Sequence, residues 1–113
     1  MEKIKPLKPS LREKKRYIAF EVISKKNFTF LQTSKAILDS VLKYTGIKGL
    51  AEMGLVLLKE KYFENKGVIR VSSKKVNSLK AAFTLTKGIN KEPVIVRSLG
   101  VSGILQKTNK LVS

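Results

Sequence analysis

Apolar and polar positions alternate without a break over Arg16–Ile23. Ile18, Phe20 and Val22 share one face, while Tyr17, Ala19, Glu21 and Ile23 share the other. A period of two with bulky, β-branched members predicts a half-buried strand. The period then changes. Thr29-Phe30-Leu31-Gln32 fits a capping box, with Thr29 as N-cap and Gln32 reaching back to it. Phe30, Ser34, Ile37, Val41 and Tyr44 recur at helical spacing, Leu31, Leu38 and Leu42 widen the stripe, and Gly46 is a natural stop. Leu50–Lys61 is a continuous apolar run, which period alone does not separate from buried helix. The turn signal Glu64-Asn65-Lys66-Gly67 and the strand-like Val68–Ser72 favour a hairpin, with Ile69 and Val71 towards the core. A second helix follows, with Ser73 as its cap. Val76, Leu79, Ala82 and Phe83 line its inner face, and Gly88 ends it. Asn90–Pro93 reads as a turn, Val94-Ile95-Val96 opens a last strand, and residues 102–109 suit a short final helix.

Strand, helix, strand, strand, helix, strand is the split βαβ order of the α+β ferredoxin-like sandwich. Right-handed crossovers put both helices on one face of a four-stranded antiparallel sheet. The other face is expected to carry Tyr17, Ala19, Glu21, Val68, Arg70, Ile95 and Arg97. Lys66-Gly67-Val68-Ile69-Arg70-Val71 starts like an RNA-reading motif, but Val68 and Arg70 stand where stacking aromatics belong. Base stacking is therefore not expected. Ala19, Val68 and Ile95 form instead an apolar patch suited to a protein contact.

The charge narrows the ligand. The 113 residues include 24 Lys+Arg against 8 Asp+Glu, a formal charge of +16, and 42% are hydrophobic. That apolar fraction supports a core and one domain, with a basic arm at 1–15, the body at 16–108 and a tail at 109–113. So large a charge repels itself unless a polyanion is the usual partner. No apolar run is long enough to span a bilayer, and no apolar segment in the first residues suggests a secretory signal, so a cytoplasmic protein is expected. With no Cys and no His, thiolate, imidazole and disulfide chemistry are excluded.

Three basic segments are candidates for phosphate. Arg12, Lys14, Lys15 and Arg16 lead into the first strand. Lys74 and Lys75 fall in the first turn of the second helix, where the positive dipole end disfavours cations unless an anion sits there; simple solvation fits equally. The last strand ends with Arg97, Ser98, Ser102, Gly103 and Lys107, where Gly100 and Gly103 permit close backbone approach. That end reads equally well as an anion site or as a plain surface turn. In the ferredoxin-like order the first and last strands are antiparallel neighbours. The expected surface therefore joins Arg12, Lys14, Lys15 and Arg16 to Arg97 and Ser102.

Pro9-Ser10-Leu11-Arg12-Glu13-Lys14-Lys15-Arg16-Tyr17-Ile18 resembles the opening of the archaeal ribonuclease P protein component 2 family, which is shared with eukaryotic RNase P and MRP. Val96-Arg97-Ser98-Leu99-Gly100-Val101-Ser102-Gly103 resembles its closing motif, and the similarity spans roughly residues 7–108. The resemblance implies a subunit of the ribonucleoprotein that removes 5′ leaders from precursor tRNA. It implies RNase P RNA and protein component 3 as partners. Mg2+ is then expected with the catalytic RNA, and no cofactor on this chain. Two other classes share fold and charge: a stand-alone ferredoxin-like endoribonuclease using Tyr, Ser or Lys, and a ribosomal-type RNA-binding protein. Composition does not exclude the first, and the second does not predict both motifs.

Overall fold

The computed structural model describes residues 14–103. Arg12, Lys107, most of the basic arm and nearly all of the expected final helix lie outside them. Strand β1 (Lys15–Ile23) pairs antiparallel with both β3 (Lys66–Ser72) and β6 (Ile95–Ser102). The four-stranded order is β2-β3-β1-β6, with β2 (Val56–Leu57) on the far side of β3. Helices α1 (Phe30–Met53) and α2 (Val76–Leu85) lie on one side of the sheet. This is the expected ferredoxin-like α+β sandwich. A two-stranded ribbon of β4 (Gly88–Ile89) and β5 (Glu92–Pro93) is added between α2 and β6. Its turn residues Asn90 and Lys91 both have positive φ, the twist that a two-residue hairpin loop favours.

The core lies between helices and sheet. Ile18, Phe20 and Val22 of β1 meet Ile69 and Val71 of β3, Ile37 and Val41 of α1, and Leu79, Ala82 and Phe83 of α2. The rings of Phe20 and Phe83 lie 6.0 Å apart, tilted by 47°. Full burial of such a side chain stabilises by roughly 1.5–3 kcal/mol, so these packed layers hold the domain together.

The first helix departs from the expected stripe. Its buried positions include Thr33, Ile37, Ser40 and Val41, while Leu31, Leu42 and Tyr44 are exposed. Two polar residues take core positions because each finds a partner. Thr33 and Tyr62 share a 2.8 Å hydrogen bond, and the Ser40 hydroxyl donates to the Ala36 carbonyl and accepts from Thr86 at 2.6 Å. Thr29 and Gln32 form the expected capping box. Gly46 does not stop the helix. It breaks the helical path at φ 78°, ψ 177°, and the chain resumes turning through Leu50 to Met53. The stop is Gly54, in the left-handed region at φ 58°. The expected strand over Leu50–Lys61 therefore shrinks to Val56–Leu57, followed by a short 3-10 turn at Lys59–Lys61. Burial of Met53 accounts for the difference: a helical turn across Leu50–Met53 drives this side chain into the core.

Alternation assigned the sheet faces correctly but not their cover. Ala19 and Val68 are cross-strand partners on the face away from the core, yet they are only 0% and 1% exposed. Their strands are the two central ones, and the longer Tyr17, Glu21, Lys66 and Arg70 flank them in register. The uncovered apolar patch expected there does not exist. Of that trio only Ile95 is exposed, at 64%, beside its partner Ile23.

Candidate nucleic-acid interface

Antiparallel pairing gathers three distant segments at one end of the sheet. Lys15 lies opposite Ser72 on β3, and Tyr17 lies opposite Ser102 on β6. One step earlier, the Ser73 N–H donates to the Lys14 carbonyl at 2.8 Å, so the pairing runs past the strand ends. Residues 14–17, 72–75 and 102–103 therefore form one basic corner.

Three of the cations there have identifiable seats. The Arg16 guanidinium donates to the Lys15 carbonyl at 3.1 Å and lies against Gly103, where a Cβ would stand 3.5 Å from Nη1. The Lys15 ammonium lies 3.0 Å from the place a Cβ would take on Gly54. That glycine caps the C-terminus of α1, the end whose dipole favours positive charge. Lys75 is ion-paired with Glu52 at 3.6 Å. Lys14 and Lys74 are exposed and have no ion pair among the described residues. Lys74 and Lys75 do not sit in the first helical turn. They belong to a 3-10 turn (Ser73–Lys75) ahead of α2, and α2 starts with no side-chain cap, so Ser73 does not play that role.

Arg97 and Ser98 do not join this corner. Arg97 pairs with Glu21 across the strands, its Nη2 and Nε at 2.8 and 3.0 Å from Oε1. Glu21 is six residues along β1 from Lys15, roughly 20 Å at the rise of a strand. Ser98 lies opposite Phe20 and so takes the helix-side face. A register shift between Ala19 and Phe20 leaves Leu99 as an extra residue, which places Gly100 opposite Ala19. The expected surface is thus split: Lys14, Lys15, Arg16, Ser102 and Gly103 come together, and Arg97 stands apart, neutralised. Ser72 and Ser73 were missed by the sequence reading. Lys74 and Lys75, expected as a separate phosphate segment, join the corner because the end of β3 lies beside the start of β1.

The opposite end is stitched by hydrogen bonds. Asn65, at φ 65°, accepts the Val22 N–H on its carbonyl and the Phe28 N–H on Oδ1, both at 2.7 Å. Its Nδ2 donates to the Lys26 carbonyl at 2.7 Å. The Tyr62 hydroxyl donates to the Phe28 carbonyl at 2.7 Å, which leaves Thr33 to donate to Tyr62. Burial pushes the Tyr62 phenol above its ordinary pKa, against the opposing pull of its hydrogen bonds with Thr33 and Asn65. Among the described residues no His, Cys, Asp or Glu cluster could hold a metal ion, and no helix is long and apolar enough to cross a membrane.

Sheet order, helix placement and charge define a basic α+β domain of ferredoxin-like topology, with a basic corner at the end of the sheet where β1 begins. The family model described as the Rpp14/Pop5 family matches residues 16–112. The chain is 38% identical over 109 residues to ribonuclease P protein component 2 of Thermococcus gammatolerans, covering 96% of this chain and 91% of that one. It is 36% identical to the protein of the same name from Methanococcus vannielii, over 88% of this chain and 75% of that one. A chain in the cryo-EM structure of yeast ribonuclease MRP shares the fold, with a TM-score of 0.68 at 13% identity over 91% of this chain and 88% of that one. The chain belongs to the Rpp14/Pop5 family, in which the matched curated relatives are ribonuclease P protein subunits.

Proposed function

We propose that the chain is the component 2 subunit of a ribonuclease P, acting in the cytoplasm on the removal of 5′ leaders from precursor tRNA. It supports the catalytic RNA by phosphate contacts and works beside protein component 3. The observation that carries this reading is the basic corner, where Lys14, Lys15 and Arg16 at the start of β1 meet Lys74 of the 3-10 turn after β3. Cations on or beside β1 and the turn after β3, two of them exposed and without an ion pair among the described residues, suit a phosphate backbone, which is read by charge and position rather than by base. In this reading Arg12 and Lys107 also contact phosphate. The hydrolytic chemistry and its Mg2+ belong to the RNA, and the chain's residues hold the RNA in place.

Reconstitution tests this. The purified chain should cleave no precursor tRNA alone, and should raise cleavage by RNase P RNA when component 3 is added at moderate Mg2+. High Mg2+ should shrink the gain, because the added cation replaces protein charge around the RNA. Cleavage by the chain alone that Tyr17→Phe abolishes would overturn the proposal in favour of a stand-alone endoribonuclease.

A further inference from the structure

A groove of about 540 Å³ runs between the first half of α1 and the stretch from the end of α2 into the β4–β5 ribbon. It lies at the end of the sheet remote from the basic corner, since α1 begins there, α2 ends there and β6 starts there. Its rim is apolar. Leu31 is 76% exposed on one side, and Leu85 is 48% exposed on the other. Lys35, Lys43 and Lys87 also line it, with Asp39 as the one lining carboxylate, a surplus of positive charge. None of the three lysines has an ion pair among the described residues. Its walls are tied together: Thr86 donates to Ser40 at 2.6 Å, and the Val94 N–H donates to the Lys87 carbonyl at 3.0 Å. The groove is therefore a formed surface, with the ribbon as an added wall.

We infer that this groove docks an acidic segment of another protein subunit, with an apolar residue seated between Leu31 and Leu85 and carboxylates facing Lys35, Lys43 and Lys87. Exposed leucines on facing elements favour a side chain over a phosphate backbone, because RNA gains nothing from aliphatic rims. The lysine surplus selects the sign of the partner and speeds its encounter. The source of the segment rests on reading the chain as a subunit of a multi-protein ribonucleoprotein; the groove's chemistry does not depend on the basic corner binding RNA.

The test uses the full chain with the purified protein subunits of the same ribonucleoprotein, offered singly, and with a single-stranded oligouridylate. In a zero-length carbodiimide reaction, Lys35, Lys43 or Lys87 should link to an Asp or Glu of one subunit. The double variant Leu31→Ser, Leu85→Ser changes no charge and alters only exposed side chains. It should weaken that subunit's binding about tenfold or more while leaving oligouridylate binding unchanged. The triple variant Lys35→Ala, Lys43→Ala, Lys87→Ala should weaken the same complex and flatten its salt dependence. The inference is overturned if the wild-type lysines link to no subunit, if neither variant changes subunit binding, or if ultraviolet cross-links place oligouridylate in the groove. RNase P reconstitution with the leucine variant separates the two proposals: a failing groove leaves RNA-dependent activity intact, whereas a failing RNA reading removes the activity of wild type as well.

Discussion

The two ends of the sheet use polar chemistry in opposite ways. Where β1 begins, backbone bonds such as Ser73 to Lys14 fix the chain, and the charged groups of Lys14 and Lys74 are left to the solvent. Where β1 ends, Asn65 and Tyr62 are consumed by the fold, bonding Val22, Lys26, Phe28 and Thr33. At the first end the exposed ammonium groups of Lys14 and Lys74 have no ion pair among the described residues and so are available for a ligand. The second holds the β1–α1 loop in one shape, and its surface character comes from neighbouring leucines and lysines. Removing charge at the first end should thus change binding without changing stability, and the reverse should hold for the Asn65 hub.

The largest effect should follow from emptying the basic corner. Replacing Lys14, Lys15 and Lys74 by Ala should lower RNA affinity at low salt and flatten the slope of log affinity against log salt by roughly 2 if all three meet phosphate. Filter binding across a salt series reads this directly. Arg97→Ala is the control, since Glu21 already neutralises that side chain; an equal loss per residue would erase the distinction between the ends. Next in size, Asn65→Ala removes buried hydrogen bonds and places an alanine at φ 65°. It should cost about 3 kcal/mol in urea unfolding, with RNA binding of the folded fraction retained. The smallest effect concerns pH. Tyr62 is protonated more tightly when folded than when unfolded, so its contribution to stability is complete below the ordinary tyrosine pKa, near 10. That contribution is lost as pH rises through the folded value. Tyr62→Phe should flatten the stability profile in that alkaline window, as followed by urea unfolding; an unchanged profile would mean that the phenol titrates alike in both states.

Much of this was legible in the chain. Alternation over Arg16–Ile23 and the Thr29–Gln32 box located β1 and the start of α1, and the core faces of β3 and α2 followed from Ile69, Val71, Leu79 and Phe83. The misreadings share a cause, which is that sequence period reports direction and not surroundings. Leu50–Met53 is apolar enough for strand or helix, and only the pocket that receives Met53 decides. Ala19 and Val68 point as expected, yet they are buried rather than exposed, which alternation does not report. Arg97 reads as a free cation until the pairing of β1 with β6 sets Glu21 opposite it. The corner itself needed topology as well as pattern, since its members are far apart in sequence.

The extra residue at Leu99 has a consequence for handling and assembly. Strand β6 is the outermost long strand, and a strand at a sheet margin is a template for adhesion between molecules. With its repeat interrupted there, a straight strand from a second copy could stay in step along only part of its length. The same interruption should let the protein be held at high concentration without fibrous precipitation seeded from this margin.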